Sequence, residues 1–171
     1  MHRARGKNIC AYALYCKHGT DDGGLAAGAI VSRMTETIHI HKAAGVIIRN
    51  RRLLVERSKG KEFFIAPGGS IEPGETPEQA LMRELMEEFQ IVVREDSLSV
   101  FGTFRAAAAG QEDKVVEMNV FTVSEWDGEP TADNEVEEVR WITSEPEDGI
   151  KVGSNFEHEV IPRLKAADLI D

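Results

Sequence analysis

Glu84, Glu87 and Glu88 stand at positions i, i+3 and i+4 within GSIEPGETPEQALMRELMEEFQI, residues 69–91. At 100° per residue the three carboxylates share one face of a helix, and Leu81, Met82, Leu85, Met86 and Phe89 fall on the other. Acids crowded this way repel one another unless a cation lies among them, and hard oxygen donors suit Mg²⁺ or Mn²⁺. Taken alone the trio fits a solvated face at least as well, because that is what most acidic runs on helices are. The helix that must carry them has a well-marked start. Thr76 is placed to cap, Pro77 suits the first helical position, and Gln79 completes a capping box.

The wider spacing decides between the two readings. Gly69, five residues, Glu75, seven residues and then Arg83-Glu84-Leu85-Met86-Glu87-Glu88-Phe89-Gln90-Ile91 resembles the Nudix box of the Nudix hydrolases, with eight of nine specified positions matched. The resemblance implies an α/β fold, a Nudix-type α/β/α sandwich with a mixed β-sheet. It also implies Mg²⁺ (or Mn²⁺) held by Glu84, Glu87 and Glu88, with the Gly69 carbonyl as a further donor. Glu84 is then the acid placed to orient or deprotonate water, and Arg83 and Glu75 brace the loop against the helix. The unmatched position is Gln90, where the family has Gly. A left-handed residue there costs roughly 1 kcal/mol without Gly, or the chain leaves the helix differently.

Water attack on a phosphoanhydride is the reaction the resemblance implies. Divalent cations screen the diphosphate, lower the pKa of bound water and stabilise the leaving oxygen. No covalent nucleophile has support, since Ser70 lacks a base beside it and both cysteines lie outside the box region. An acid before a strand like Arg140-Trp141-Ile142 supplies an extra ligand or base in some Nudix proteins. Of Glu135, Glu137 and Glu138 the candidate is Glu138, with an exposed acidic loop as the alternative. His39 and His41 share a strand face where a substrate contact is conceivable, although packed or surface histidines are commoner. Trp126 and Trp141 could stack on a base, against the commoner reading of packing at the edge of a core.

Substrate class is read from two segments beyond the box. The Pro frequent in ADP-ribose enzymes and the Tyr frequent in dinucleoside polyphosphate enzymes are both absent from Arg105-Ala106-Ala107-Ala108-Ala109. Glu125-Trp126-Asp127-Gly128-Glu129-Pro130 instead resembles the W-x-G-E-P segment of MutT-type pyrophosphohydrolases, pointing to a (d)NTP cleaved to (d)NMP and pyrophosphate. ADP-ribose, a nucleotide sugar, a dinucleoside polyphosphate and a noncatalytic nucleotide-sensing domain are the alternatives. The last would be expected to have lost a ligand or the Arg83 brace, and neither is missing.

Length and composition fit this reading. The 171 residues, 42% hydrophobic and 29% charged, suit one domain with a substantial core. A net charge of −10 disfavours nucleic acid and anionic membrane as partners. The expected partner is a small nucleotide, the expected location cytoplasmic, and a homodimer is left open. Charge is uneven along the chain. Residues 1–33 hold five Lys or Arg against two Asp, a balance of +3, while residues 34–171 carry −13. Residues 1–33 read as an N-terminal extension dispensable to the fold, ending just before Met34, with residues 34–171 as the hydrolase domain. Their basic start resembles a signal peptide or an organellar presequence only faintly. Cys10, Cys16 and His18 lack a fourth zinc ligand, so free thiols are the simpler reading.

Alternating and apolar runs predict a hairpin across Arg49-Asn50-Arg51-Arg52 and strands at Phe63–Ile65, Ile91–Val93, Leu98–Arg105, Val115–Val123 and Val139–Ile142. A closing helix is expected over Asn155–Lys165, kinked or shortened by Pro162.

Overall fold

The apolar alternation of the central strands lets one mixed sheet bury both of its faces, and helices cover each. In the computed structural model, residues 3–5, 38–108 and 111–171 are described. Cys10, Cys16, His18, Met34 and the 33/34 boundary lie outside them, as does the side chain of His39. In chain order the strands are β1 (Arg3–Arg5), β2 (Ile38–Arg49), β3 (Arg52–Ser58), β4 (Phe63–Phe64), β5 (Gly68–Ser70), β6 (Leu98–Ala108), β7 (Gln111–Val123), β8 (Glu125–Asp127), β9 (Val136–Ile142) and β10 (Lys151–Val152). Helix α1 spans Pro77–Phe89, and α2 (Ile161–Ala166) continues a π-turn at Phe156–Val160. The main sheet runs β6-β7-β2-β3-β9, with β5 also paired to β2. The β2–β7 pair is parallel and the other pairs in the sheet are antiparallel.

Successive residues of β2 point to opposite faces, so Ala43 and Ile47 pack with Leu54, Leu81, Leu85 and Phe89 under α1. Ala44 and Val46 pack with Leu53, Val55, Val160 and Leu164 under α2. Each fully buried Leu, Ile or Phe contributes about 1.5–3 kcal/mol relative to exposure. This is the α/β/α sandwich expected. No described helix is long and apolar enough to cross a membrane.

The sheet splits where the site will form. β2 and β3 pair only at their turn, Ile48 with Leu53 and Arg49 with Arg52. Beyond that point β5 takes the place of β3, setting Lys42 opposite Ser70, Ala43 opposite Gly69 and Ala44 opposite Gly68. Gly68 sits at φ 137°, and a Cβ there would come 2.2 Å from the Ala43 carbonyl oxygen, so only glycine fits. The freed end of β3 bonds Ile65 instead, through Glu56 N to Ile65 O at 2.8 Å and Ile65 N to Glu56 O at 2.7 Å.

Ile91–Val93 makes a single bridge from Val92 to Asp127 rather than the expected strand. The closing helix expected over Asn155–Lys165, kinked or shortened by Pro162, has its regular α-helical part limited to Ile161–Ala166, with the irregularity lying ahead of the proline in the π-turn, where Ile161 N–H donates to the Phe156 carbonyl.

Candidate active site

Helix α1 starts as its sequence predicts. Gln79 N donates to Thr76 Oγ1 at 3.2 Å and Thr76 N to Gln79 Oε1 at 3.0 Å, with Pro77 in the first turn. Its buried stripe is Ala80, Leu81, Leu85 and Phe89. Met86, expected among the packed residues, is 53% exposed, because it lies well around the helix from the i, i+4, i+8 line of Leu81, Leu85 and Phe89.

Arg83 ties this helix to the preceding loop. Its Nε and Nη2 donate to the two oxygens of Glu75 at 2.8 and 3.0 Å, Nη2 also to the Ser70 carbonyl at 3.1 Å, and Nη1 to Glu84 Oε1 at 2.9 Å. Glu75 closes the loop by accepting from Glu72 N at 3.0 Å. The bidentate guanidinium holds the Glu75 carboxyl below its usual range. Gly69 is shaped around the same group, for a Cβ there would lie 2.2 Å from Glu84 Oε1. Loop and helix are thus brought into contact at the Gly69 backbone and the Glu84 carboxylate.

The three box acids occupy different environments. Glu87 is exposed, Glu84 is largely buried beside Arg83, and Glu88 is half-buried with Oε2 fully enclosed and without a hydrogen-bond partner. Burial, followed by the charges of Glu84, Glu56 and Glu135, pushes Glu88 up to about 7. Glu56 on β3 joins this group and was not legible as a site residue. It is 2% exposed, its carboxylate accepts from Ser58 Oγ at 3.3 and 3.4 Å, and burial pushes it up to about 7 as well. Lys42 lowers both, and is the cation acting on each.

Glu138 falls elsewhere. Arg57 holds it at 2.8 Å and Arg140 at 2.6 Å, depressing its pKa through those hydrogen bonds. The reason is strand alternation: Glu138 pairs with Arg57 in register, whereas its neighbour Glu56 turns toward α1 with Leu54. Arg57 and Arg140 both lie over Phe64, which packs in the α2-side core. The acid of this segment that acts on Glu56 and Glu88 is Glu135. A helix-capping loop brings it there: Thr131 N donates to the Phe89 carbonyl at 3.1 Å, Asp133 N to Glu88 O at 2.9 Å, and Asn134 Nδ2 to Glu87 O at 2.6 Å.

Among the described residues no three acids, histidines or cysteines already converge in metal-binding geometry. The residues nevertheless fit a hard divalent cation. Their donors are carboxylate oxygens, one of them is buried without a partner, and the Gly69 backbone lies directly against the Glu84 carboxylate. Across the split in the sheet lies a mainly apolar cavity of about 170 Å³, lined by Lys42, Ala44, Ala66, Met118, Asn155 and Phe156 among others. His41 does not line it; that ring is exposed, with Nδ1 3.5 Å from Glu117. Trp126 is buried in the α1-side core, and Trp141 lies under Arg49 at 4.3 Å, so both indoles pack rather than face the cavity. Glu129 of the W-x-G-E-P segment is gripped by Arg49 at 2.7 and 2.8 Å.

Comparison with known proteins finds related sequences and a related fold. The NUDIX domain profile matches residues 39–164. The 8-oxo-dGTP diphosphatase of Haemophilus influenzae is 38% identical over 109 residues, covering 60% of this chain and 75% of that protein. The 8-oxo-dGTP diphosphatase of Proteus vulgaris is 37% identical over 103 residues, 57% of this chain and 88% of its own. A solved structure from work on MutT of Aliivibrio salmonicida and Vibrio cholerae superposes with a TM-score of 0.60 at 26% identity, covering 75% of this chain and 98% of that one.

Proposed function

Because the chain belongs to the NUDIX domain family and is a nucleotide pyrophosphohydrolase, we propose that it cleaves a (deoxy)nucleoside triphosphate to the monophosphate and pyrophosphate with Mg²⁺ or Mn²⁺. A purine deoxynucleotide such as 8-oxo-dGTP, the substrate named for both relatives, is the first to test. The observation that carries the reading is Glu88 Oε2, a buried carboxylate oxygen without a partner, among acids that raise its pKa. A bound cation would stabilise such a group as an anion.

In this reading Glu84, Glu87 and Glu88 hold the metal, with the Gly69 carbonyl and Glu135 as further oxygen donors. Glu135 replaces Glu138, whose two guanidinium partners already satisfy it. When bound, the metal offsets the charge of the polyphosphate and lowers the pKa of coordinated water. Glu84, pressed against Gly69 and steered by Arg83, orients the water and accepts its proton. Arg83 and Glu75 fix the loop so that this carboxylate does not swing away. The apolar cavity takes base and sugar, which places the phosphates toward the split between β2 and β3.

The test replaces Glu84 and Glu87 separately with Gln and follows pyrophosphate release with Mg²⁺. Each change should lower kcat/KM by about a hundredfold or more, since metal-borne charge stabilisation amounts to several kcal/mol. Wild-type turnover by both variants would remove the metal-site assignment. A panel of 8-oxo-dGTP, ordinary NTPs and dNTPs, ADP-ribose and dinucleoside polyphosphates, with products identified by mass, tests the substrate class.

A further inference from the structure

Lys42 occupies the junction between the apolar cavity and the carboxylates. It lines the cavity together with Ala44, Gly68 and Asn155. Its backbone lies opposite Ser70, one position from the Ala43–Gly69 pair that sets the loop against Glu84. Its charge is felt at both Glu56 and Glu88. The guanidinium groups nearby are committed: Arg83 to Glu75 and Glu84, Arg57 to Glu137 and Glu138, Arg140 to Glu138. Among the described residues no carboxylate lies within 4.0 Å of the Lys42 ammonium, so it is a cation still able to accept an anionic ligand.

A nucleotide seated with its base in the cavity and its terminal phosphates at the acids must carry its first phosphate across this junction. That group bears negative charge in substrate and product alike, and an ammonium with three donors is a compact phosphate ligand. We propose that Lys42 holds the α-phosphate and thereby sets the preference of this site for phosphorylated over unphosphorylated nucleosides. The proposal rests on the nucleotide reading of the site. It adds a residue that acts without the metal, because the α-phosphate stays on the monophosphate product.

The experiment is calorimetric titration of the full chain in EDTA with 8-oxo-dGMP and, separately, with 8-oxo-deoxyguanosine, for wild type, Lys42→Met and Lys42→Arg. A charge-assisted hydrogen bond to phosphate corresponds to roughly a 10- to 100-fold preference for the monophosphate in the wild type. Lys42→Met should reduce that preference to about twofold while leaving nucleoside affinity unchanged, and Lys42→Arg should retain most of it. Unchanged nucleoside binding shows that the cavity is intact, so a lost preference then reads as a lost phosphate contact. If Lys42→Met keeps the wild-type preference while the wild type still cleaves the triphosphate, Lys42 is not the phosphate ligand and the nucleotide reading stands. If the wild type neither binds the monophosphate nor cleaves any triphosphate, the nucleotide reading fails and Lys42 loses its role with it.

Discussion

Glu56 and Glu88 are held by the fold in a place where neither is comfortable as an anion. Both carboxyls sit near 7 rather than the ordinary 4.5, mainly from burial, and each raises or is raised by other acids of the group. The sign of the consequence follows from proton counting. Between about pH 4.5 and 7 the folded chain keeps protons that the unfolded chain has released, so stability falls as pH rises through that window. Below it the penalty is absent, and above it the penalty is fully present. A pKa raised by one corresponds to about 1.4 kcal/mol. Glu75 and Glu138, held low by their guanidinium partners, act with the opposite sign and only in more acidic solution. The metal-free protein should therefore show a urea midpoint that falls from about pH 5 to about pH 8. Added Mg²⁺ should restore it at the higher pH and do little at the lower, where the carboxyls are protonated. Glu56→Gln should flatten the pH slope without metal. A midpoint that does not change across the window would show that the two acids are not buried as described.

At the scale of elements, α1 is positioned at both ends by different means, and only one end was legible in the sequence. The capping box, the Glu75–Arg83 clamp and the shared face of Glu84, Glu87 and Glu88 are local patterns, set by spacings of three, four and eight residues. The far end depends on residues some forty positions later. Gln90 does adopt the left-handed conformation expected of a glycine, at φ 56°, and its Nε2 donates to Asp133 at 2.7 Å. Residues 131–134 then cap the helix carbonyls and deliver Glu135. Choosing between Glu135 and Glu138 requires the strand register and the irregularity between Arg57 and Ser58, neither of which a single sequence displays. Glu56 was hidden for the same reason, since its importance comes from cross-sheet proximity to α1. Asn134 tests this coupling. It sits at φ 47° and bonds the Glu87 carbonyl, so Asn134→Ala should cost about 1–2 kcal/mol in denaturant and lower turnover several-fold as Glu135 loosens. Asn134→Gly keeps the backbone conformation and should recover part of the stability but not the hydrogen bond. Turnover unchanged in both would separate the capping loop from the site.

For the whole molecule the question is how much of the chain the site needs. Its carboxylates and their loop come from β3, β5, α1 and the loop before β9, all within residues 56–135, while the cavity draws on β2, β6, β7 and residues 153–156 ahead of the second helix. The acidic surplus lies in the same region, −13 across residues 34–171, so the protein as a whole repels a polyphosphate, and the proposed reading makes capture local, through metal and Lys42. Residues 1–33 carry the compensating +3, and their described part, β1, pairs with β8, setting Arg3 opposite Asp127 and Arg5 opposite Glu125. β8 in turn supports Val92, just beyond the end of α1, but lines neither the cavity nor the carboxylate group. Deleting residues 1–33 should thus lower Tm by only a few degrees, roughly 2–4 °C for each kcal/mol at this chain length, and leave kcat and KM within about twofold of the full chain. Thermal unfolding and steady-state hydrolysis of 8-oxo-dGTP measure the two arms directly. A collapse of Tm would make the extension part of the fold, and a large loss of turnover at unchanged Tm would make it part of the site.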